Sequence, residues 1–130
     1  GSITQVELME DGNYQKHTSV STLRPDFEGE NYSADIHISS DGRFLYASNR
    51  GPNEIAIFKV DEQNGSLSSL SHQPAHGNWP RNFGISPDEQ FLLIANQYSN
   101  NITCFKIDPK DGLLTFISEI ESPSPVCLLF

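Results

Sequence analysis

Six side chains in this sequence are of types that do chemistry: Asp35, His37, Arg50, His76, Trp79 and Arg81. An arginine presents a planar fork of N–H donors that grips a phosphate or carboxylate through two bonds. A histidine titrates near neutral pH and moves protons. Arg50 and Arg81 therefore suit an anionic ligand, and His37 suits an acid–base step. Each also has a structural reading. Arg50 and Arg81 could close ion pairs between packed units, and His37 could bond a neighbouring hydroxyl or carboxylate. His76 and Trp79 could be packed loop residues, and Asp41 and Asp88 read as turn formers. His17, His37, His72 and His76 have no metal-ligand spacing, and no GxGxxG, P-loop, HExxH or CxxC pattern occurs. No metal site is expected.

The elements that must position these residues follow from a repeat. Asp35–Leu67 reads DIHISSDGRFLYASNRGPNEIAIFKVDEQNGSL, and Asn82–Leu114 reads NFGISPDEQFLLIANQYSNNITCFKIDPKDGLL, 47 residues later without a gap. Ile38/Ile85, Ser39/Ser86, Asp41/Asp88, Phe44/Phe91, Asn49/Asn96, Asn53/Asn100 and Gly65/Gly112 match at that offset. Partial copies flank the pair at Ile3–Leu8 and Pro125–Phe130. Each unit holds four short strand candidates: Ala34–Ile38, Phe44–Ser48, Glu54–Val60 and Ser66–His72, then Asn82–Ile85, Phe91–Ala95, Asn101–Ile107 and Leu113–Ile120. Turn chemistry separates them (Ser40-Asp41-Gly42, Asn64-Gly65, Asp111-Gly112), and no segment sustains a helical period.

A four-stranded antiparallel unit repeating at about 40–50 residues is a β-propeller blade. The expected fold is all-β: a β-propeller fragment of four-stranded antiparallel blades. Residues 1–25 supply the outer strands of one blade, 33–74 and 80–121 two full blades, and 125–130 the inner strand of the next. Closure takes about 4–8 blades, so the open faces should pair with the remaining blades or self-associate.

In a meander blade, the second-to-third strand loop and the link between blades share one rim. That rim collects Arg50-Gly51-Pro52-Asn53, Gln97-Tyr98-Ser99-Asn100, the link Glu28–Tyr32 and the link His76–Arg81. Three of the potential cations and the one Trp gather there, in a chain with 8 Lys and Arg. Binding residues sit on loops held by a rigid scaffold. The opposite rim, SSDG, DEQNG, SPDE and PKDG, reads as turn filler. Alternation along the first inner strand turns Ile36 and Ile38 to one neighbouring blade and Asp35 and His37 to the other.

Composition bounds the partners. The 130 residues carry 17 Asp and Glu, for a net charge of −9. An acidic chain lacks the basic field that nucleic acid or an anionic membrane surface requires. No apolar run is long enough for a membrane-spanning helix. The start, GSITQVELMEDG, has neither a basic region nor an apolar run, so no signal peptide is expected in it. Cys104 and Cys127 are read as two buried free thiols, which fits a cytoplasmic setting.

Ser33-Ala34-Asp35-Ile36-His37-Ile38-Ser39, followed by Asp41-Gly42-Arg43-Phe44-Leu45-Tyr46 and Ser48-Asn49-Arg50-Gly51, resembles the signature of the seven-bladed lactonase family. Pro80-Arg81-Asn82-Phe83, Phe91–Gln97 and Ser124-Pro125-Val126-Cys127 are similar to its later blades. The resemblance is to the C-terminal third. It implies hydrolysis of a sugar-acid lactone, such as 6-phosphogluconolactone in the pentose phosphate pathway, without metal or organic cofactor. Such acyl transfer needs a base for water, donors for the oxyanion and cations for the anionic substrate. The resemblance implies His37 as base or acid and Arg50 and Arg81 as anion or oxyanion holders. With the residues that strand and rim place beside them, the expected site has His37 and Arg50 as catalytic residues and Arg81, Asp35, His76 and Trp79 as substrate contacts. Earlier blades contribute to the family's site, so these residues form one wall of it. The repeats LYASNRGPNEIAIFKV and LLIANQYSNNITCFKI also resemble those of non-catalytic YVTN-type binding propellers. A muconate-lactonising isomerase on the same scaffold is a further alternative. The joint presence of ADIH and SNRG favours the lactonase class.

Overall fold

A computed structural model describes every residue, Gly1–Phe130. It contains ten strands: β1 (Ser2–Leu8), β2 (Tyr14–Ser21), β3 (Tyr32–Ile38), β4 (Phe44–Arg50), β5 (Glu54–Val60), β6 (Leu67–Pro74), β7 (Pro80–Ile85), β8 (Phe91–Asn96), β9 (Asn101–Ile107) and β10 (Leu114–Glu121). They form a β1–β2 pair and two four-stranded sheets, β3–β4–β5–β6 and β7–β8–β9–β10, each antiparallel with neighbours consecutive in sequence. These are propeller blades, and the fold is all-β as the repeat implies. No helix is long and apolar enough to cross a membrane.

The repeat is visible in the turns. After β3, Ser39 Oγ donates to Asp41 Oδ1 at 2.7 Å and accepts the Phe44 N–H at 3.0 Å. After β7, Ser86 Oγ donates to Asp88 Oδ1 at 2.6 Å and accepts the Phe91 N–H at 3.0 Å. Such side-chain bonds substitute for main-chain pairing at the reversal. Asn53 and Asn100 take matching left-handed conformations, φ 55° and 56°. Their carbonyls accept the N–H groups of Ala75 and Ser122 at 2.9 Å.

Strand alternation gives each sheet two apolar faces. Phe44, Tyr46, Ile55 and Ile57 from one sheet meet Phe83, Leu92, Ile94, Phe105, Ile107 and Leu114 from the next in a single core. Burying side chains of this size contributes about 1.5–3 kcal/mol each. Across the seam, the Tyr46 hydroxyl donates to the Gly112 carbonyl at 2.9 Å. The opposite rim is more than filler. Glu89 accepts the Ser40 N–H at 2.6 Å and its hydroxyl at 2.8 Å, and Arg43 Nη2 donates to the Pro109 carbonyl at 3.0 Å. These turns clip one blade to the next.

Pro125–Phe130, expected as the inner strand of a next blade, pairs with no strand among residues 1–130. It lies instead beside β7, where the Leu128 N–H donates to Asn82 Oδ1 at 2.6 Å. For the same reason Cys127 is exposed rather than buried, and Cys104 is only partly covered. Both thiols are free.

Candidate active site

The inner strands β3 and β7 carry the candidate residues. Both begin with a bulge, between Ser33 and Ile36 on β3 and between Pro80 and Asn82 on β7. A bulge re-aims the side chains beside it. At the first, the Asp35 N–H leaves the ladder and donates to the buried Ser48 hydroxyl at 3.0 Å. The Asp35 side chain then reaches across the seam. Asp35 Oδ2 accepts from Asn82 Nδ2 at 2.5 Å and from the Phe83 N–H at 3.3 Å. His37 Nε2 lies 3.2 Å from the same oxygen, and its ring meets the Phe83 ring edge-on at 4.8 Å. Ile36 and Ile38 point the other way and are 49% and 53% exposed, on the face that a further blade would cover.

The rim above is an aromatic and cationic cluster. Trp79 adopts a left-handed φ of 67°, its N–H donates to Asn53 Oδ1 at 2.9 Å, and its carbonyl accepts the Gln97 N–H at 3.1 Å. This fixes the indole stacked on Tyr98 at 4.8 Å and tilted against Tyr32 at 5.7 Å. The Arg50 guanidinium lies 5.3 Å from the centre of the Trp79 ring. Its Nε donates to the Tyr32 carbonyl at 3.1 Å and its Nη2 to the Ser33 carbonyl at 3.0 Å. A guanidinium has five N–H donors, so the fork is held in place and about three donors remain. Arg81 Nη1 donates to Gln97 Oε1 at 3.3 Å, and Arg81 is otherwise exposed. No ion pair occupies Arg50 or Arg81.

The structure therefore groups Arg50 with Trp79, and Asp35 with His37. The two groups are not in contact. At about 3.3 Å per residue, His37 lies about 13 Å along β3 from Ser33, where Arg50 is anchored. His76 belongs to neither group. Its left-handed φ of 54° turns the ring outward, onto Phe116 at 4.4 Å with an 8° interplanar angle. Sequence reasoning missed Asn82, which bridges Asp35 and Leu128. The signal was present, since Asn82 is the repeat equivalent of Asp35, but equivalence does not announce contact.

Two carboxylates outside the site, Asp41 on the opposite rim and Glu54 at the start of β5, differ in their surroundings. Hydrogen bonds from Ser39 and then Arg43 hold Asp41 down at about 2. Burial pushes Glu54 above the usual range, against partial compensation from His72 and Arg24. Glu54 Oε2 lies 3.4 Å from Arg24 Nε, while its Oε1 has no partner.

A family model described as Lactonase, 7-bladed beta-propeller matches residues 1–130. A 6-phosphogluconolactonase of Formosa agariphila is 62% identical over 47 residues, covering 35% of this chain and 13% of that protein. A 6-phosphogluconolactonase of Bacillus subtilis is 37% identical over 68 residues, covering 52% of this chain and 20% of that protein. The solved structure of a periplasmic gluconolactonase from Pseudomonas aeruginosa superposes with a TM-score of 0.93 at 30% identity, covering 98% of this chain and 36% of that one. The chain thus spans about a third or less of the length of these relatives.

Proposed function

The chain belongs to the seven-bladed β-propeller lactonase family, and from that premise we propose that it forms one wall of a site that hydrolyses a sugar-acid lactone. The substrate we propose is 6-phosphogluconolactone, opened to 6-phosphogluconate, with the chain standing as the C-terminal third of its propeller. One observation carries this reading: a carboxylate–imidazole pair, Asp35 and His37, sits on the inner strand whose opening carbonyls, at Tyr32 and Ser33, fix the Arg50 guanidinium of β4 at the rim. Separated as they are, the two would hold different parts of one ligand. Arg50, with Arg81 on the neighbouring strand, would take the anionic group, and His37 would face the lactone carbonyl.

The chemistry is addition of water to an ester carbonyl. His37 accepts a proton as water attacks and returns it to the ring oxygen as the C–O bond breaks. Donors from other blades complete the oxyanion site, so the 130 residues alone would be inactive. Tyr98, exposed and backed by the Trp79 indole, presents a ring face against which a sugar's C–H face would pack. The exposed Ile36 and Ile38 suit cover by a further blade of the same propeller. The free thiols support a reducing, cytoplasmic setting. The names of the relatives in Formosa agariphila and Bacillus subtilis support the phosphorylated substrate.

The test is the rate of 6-phosphogluconolactone hydrolysis by the full-length protein, corrected for spontaneous opening, beside its Arg50→Ala variant. Turnover that falls about 10²-fold in the variant, about 2.7 kcal/mol of transition-state stabilisation, supports the reading. No turnover above background removes it for this substrate.

A further inference from the structure

The acceptors around Asp35 define which nitrogen of His37 is basic. Asp35 Oδ1 accepts the Ile36 N–H at 2.9 Å, while Oδ2 accepts from Asn82 Nδ2 at 2.5 Å and from the Phe83 N–H at 3.3 Å. With both oxygens accepting from these donors, Asp35 faces the imidazole as an acceptor. The His37 nitrogen 3.2 Å from it, Nε2, must then be the one that carries hydrogen. In neutral imidazole the other nitrogen, Nδ1, is left with the free lone pair.

What fixes Asp35 in turn is Asn82. Its amide is oriented from both sides, since Nδ2 donates to Asp35 and Oδ1 accepts the Leu128 N–H at 2.6 Å. A reversed amide would set a carbonyl against a carboxylate and an N–H against an N–H. Glu89, the other carboxylate lining this groove, is spent on Ser40 and does not compete for the imidazole. Phe83, from the same strand as Asn82, sets the plane of the ring.

We propose that Asn82 is a positioning residue: it locks Asp35 across the blade seam, and Asp35 holds His37 as the Nε2–H tautomer, so that Nδ1 is the atom that takes the proton. The last step rests on the lactonase reading. Water gives a proton to Nδ1 as its oxygen bonds to the lactone carbonyl carbon. The tetrahedral intermediate then expels the ring oxygen, which takes that proton from Nδ1–H. Lactone and water are consumed, one hydroxy acid forms, and His37 returns to its starting state.

The experiment uses the full-length protein labelled with ¹⁵N-histidine, with His37 assigned by His37→Gln. Long-range ¹H–¹⁵N correlation of the neutral ring reads the tautomer. The wild type should show Nε2–H, and Asp35→Asn and Asn82→Ala should each move population to Nδ1–H. With lactone as substrate, kcat should fall about 10²-fold or more in Asp35→Asn and about 10-fold in Asn82→Ala, with KM within about 3-fold. Wild-type His37 in the Nδ1–H form would overturn the proposal. So would a tautomer ratio that Asn82→Ala leaves unchanged. Asn82→Ser, which keeps a short polar group, gives the same readout should the alanine variant not fold. A tautomer that responds as stated in a protein that opens no lactone would uphold the positioning role and remove the lactonase reading alone.

Discussion

Thr22 and Asn49 hold each other twice. The Thr22 hydroxyl donates to Asn49 Oδ1 at 2.9 Å, and Asn49 Nδ2 donates back to the Thr22 carbonyl at 2.7 Å, with both residues buried. The bond pair ties the end of β4 to the link that leaves β2. Asn96 holds the next link less completely: its Nδ2 donates to the Ala75 carbonyl at 3.5 Å and to Thr103 Oγ1 at 3.1 Å, and its Oδ1 has no partner.

Asn49→Ala leaves the buried Thr22 hydroxyl without a partner and the Thr22 carbonyl with only His72 Nε2, at 3.1 Å. It should cost about 1–3 kcal/mol of stability, the cost of an unsatisfied buried group. Asn96→Ala should cost less, because less is bonded there. Urea unfolding of both variants ranks them, and equal losses would contradict the assignment.

Gly51 stands at φ 111° beside Arg50, and a Cβ there would run into the Glu30 carbonyl. Gly51→Ala should destabilise by more than about 1 kcal/mol. It should also lower kcat/KM on an anionic lactone by displacing the neighbouring guanidinium. A thermal melt and a hydrolysis assay on the full-length protein check the two effects separately.

Asp41 and Glu54 should respond to acid in opposite directions. Asp41 sits at about 2 in the folded chain against 3.8 when free. Its ionised form is favoured by folding, so its stabilisation is present above about pH 4 and is lost as pH falls toward 2. Solvent screening of this exposed turn keeps the effect small. Ser39→Ala removes its largest cause and should return the Asp41 titration toward 3.8, as read by carboxyl NMR.

Glu54 is raised above its free value of 4.5 by burial. Folding favours its neutral form, so its charge costs stability above the folded value, and the cost fades as pH falls to 4.5. Glu54→Gln should therefore raise the melting temperature at pH 8 and matter little at pH 4. An isosteric neutral group keeps the packing while the buried charge goes. A drop in melting temperature at pH 8 would mean that the Arg24 contact outweighs the burial.

Much of this fold was legible because the turns are chemically explicit. Ser39-Ser40-Asp41-Gly42 and its copy at Ser86–Glu89 mark reversals wherever they occur, and the offset of 47 residues carries the strands between them. Topology then put Arg50, Asn53, Trp79 and Tyr98 on one rim, where they stack and bond. What stayed hidden depends on local backbone. The bulge that re-aims Asp35 and the left-handed turn that sends His76 to Phe116 leave no periodic trace. The repeat itself concealed the Asp35–Asn82 contact, since aligned positions are read as equivalents rather than neighbours. Pro125–Phe130 has the composition of a strand, but a ladder is a property of two segments.

The contacts between inner strands also share a direction. Asp35 accepts from the main chain of Phe83, and Asn82 accepts from that of Leu128. In each case the acceptor lies earlier in the chain than the donor. A ribosome releases the acceptor first, so each blade keeps an unsatisfied carboxylate or amide at its inner edge until the following strand emerges. The two four-stranded blades are thus latched in the order of their synthesis, and the Asp35–His37 pair of one is completed only by the other.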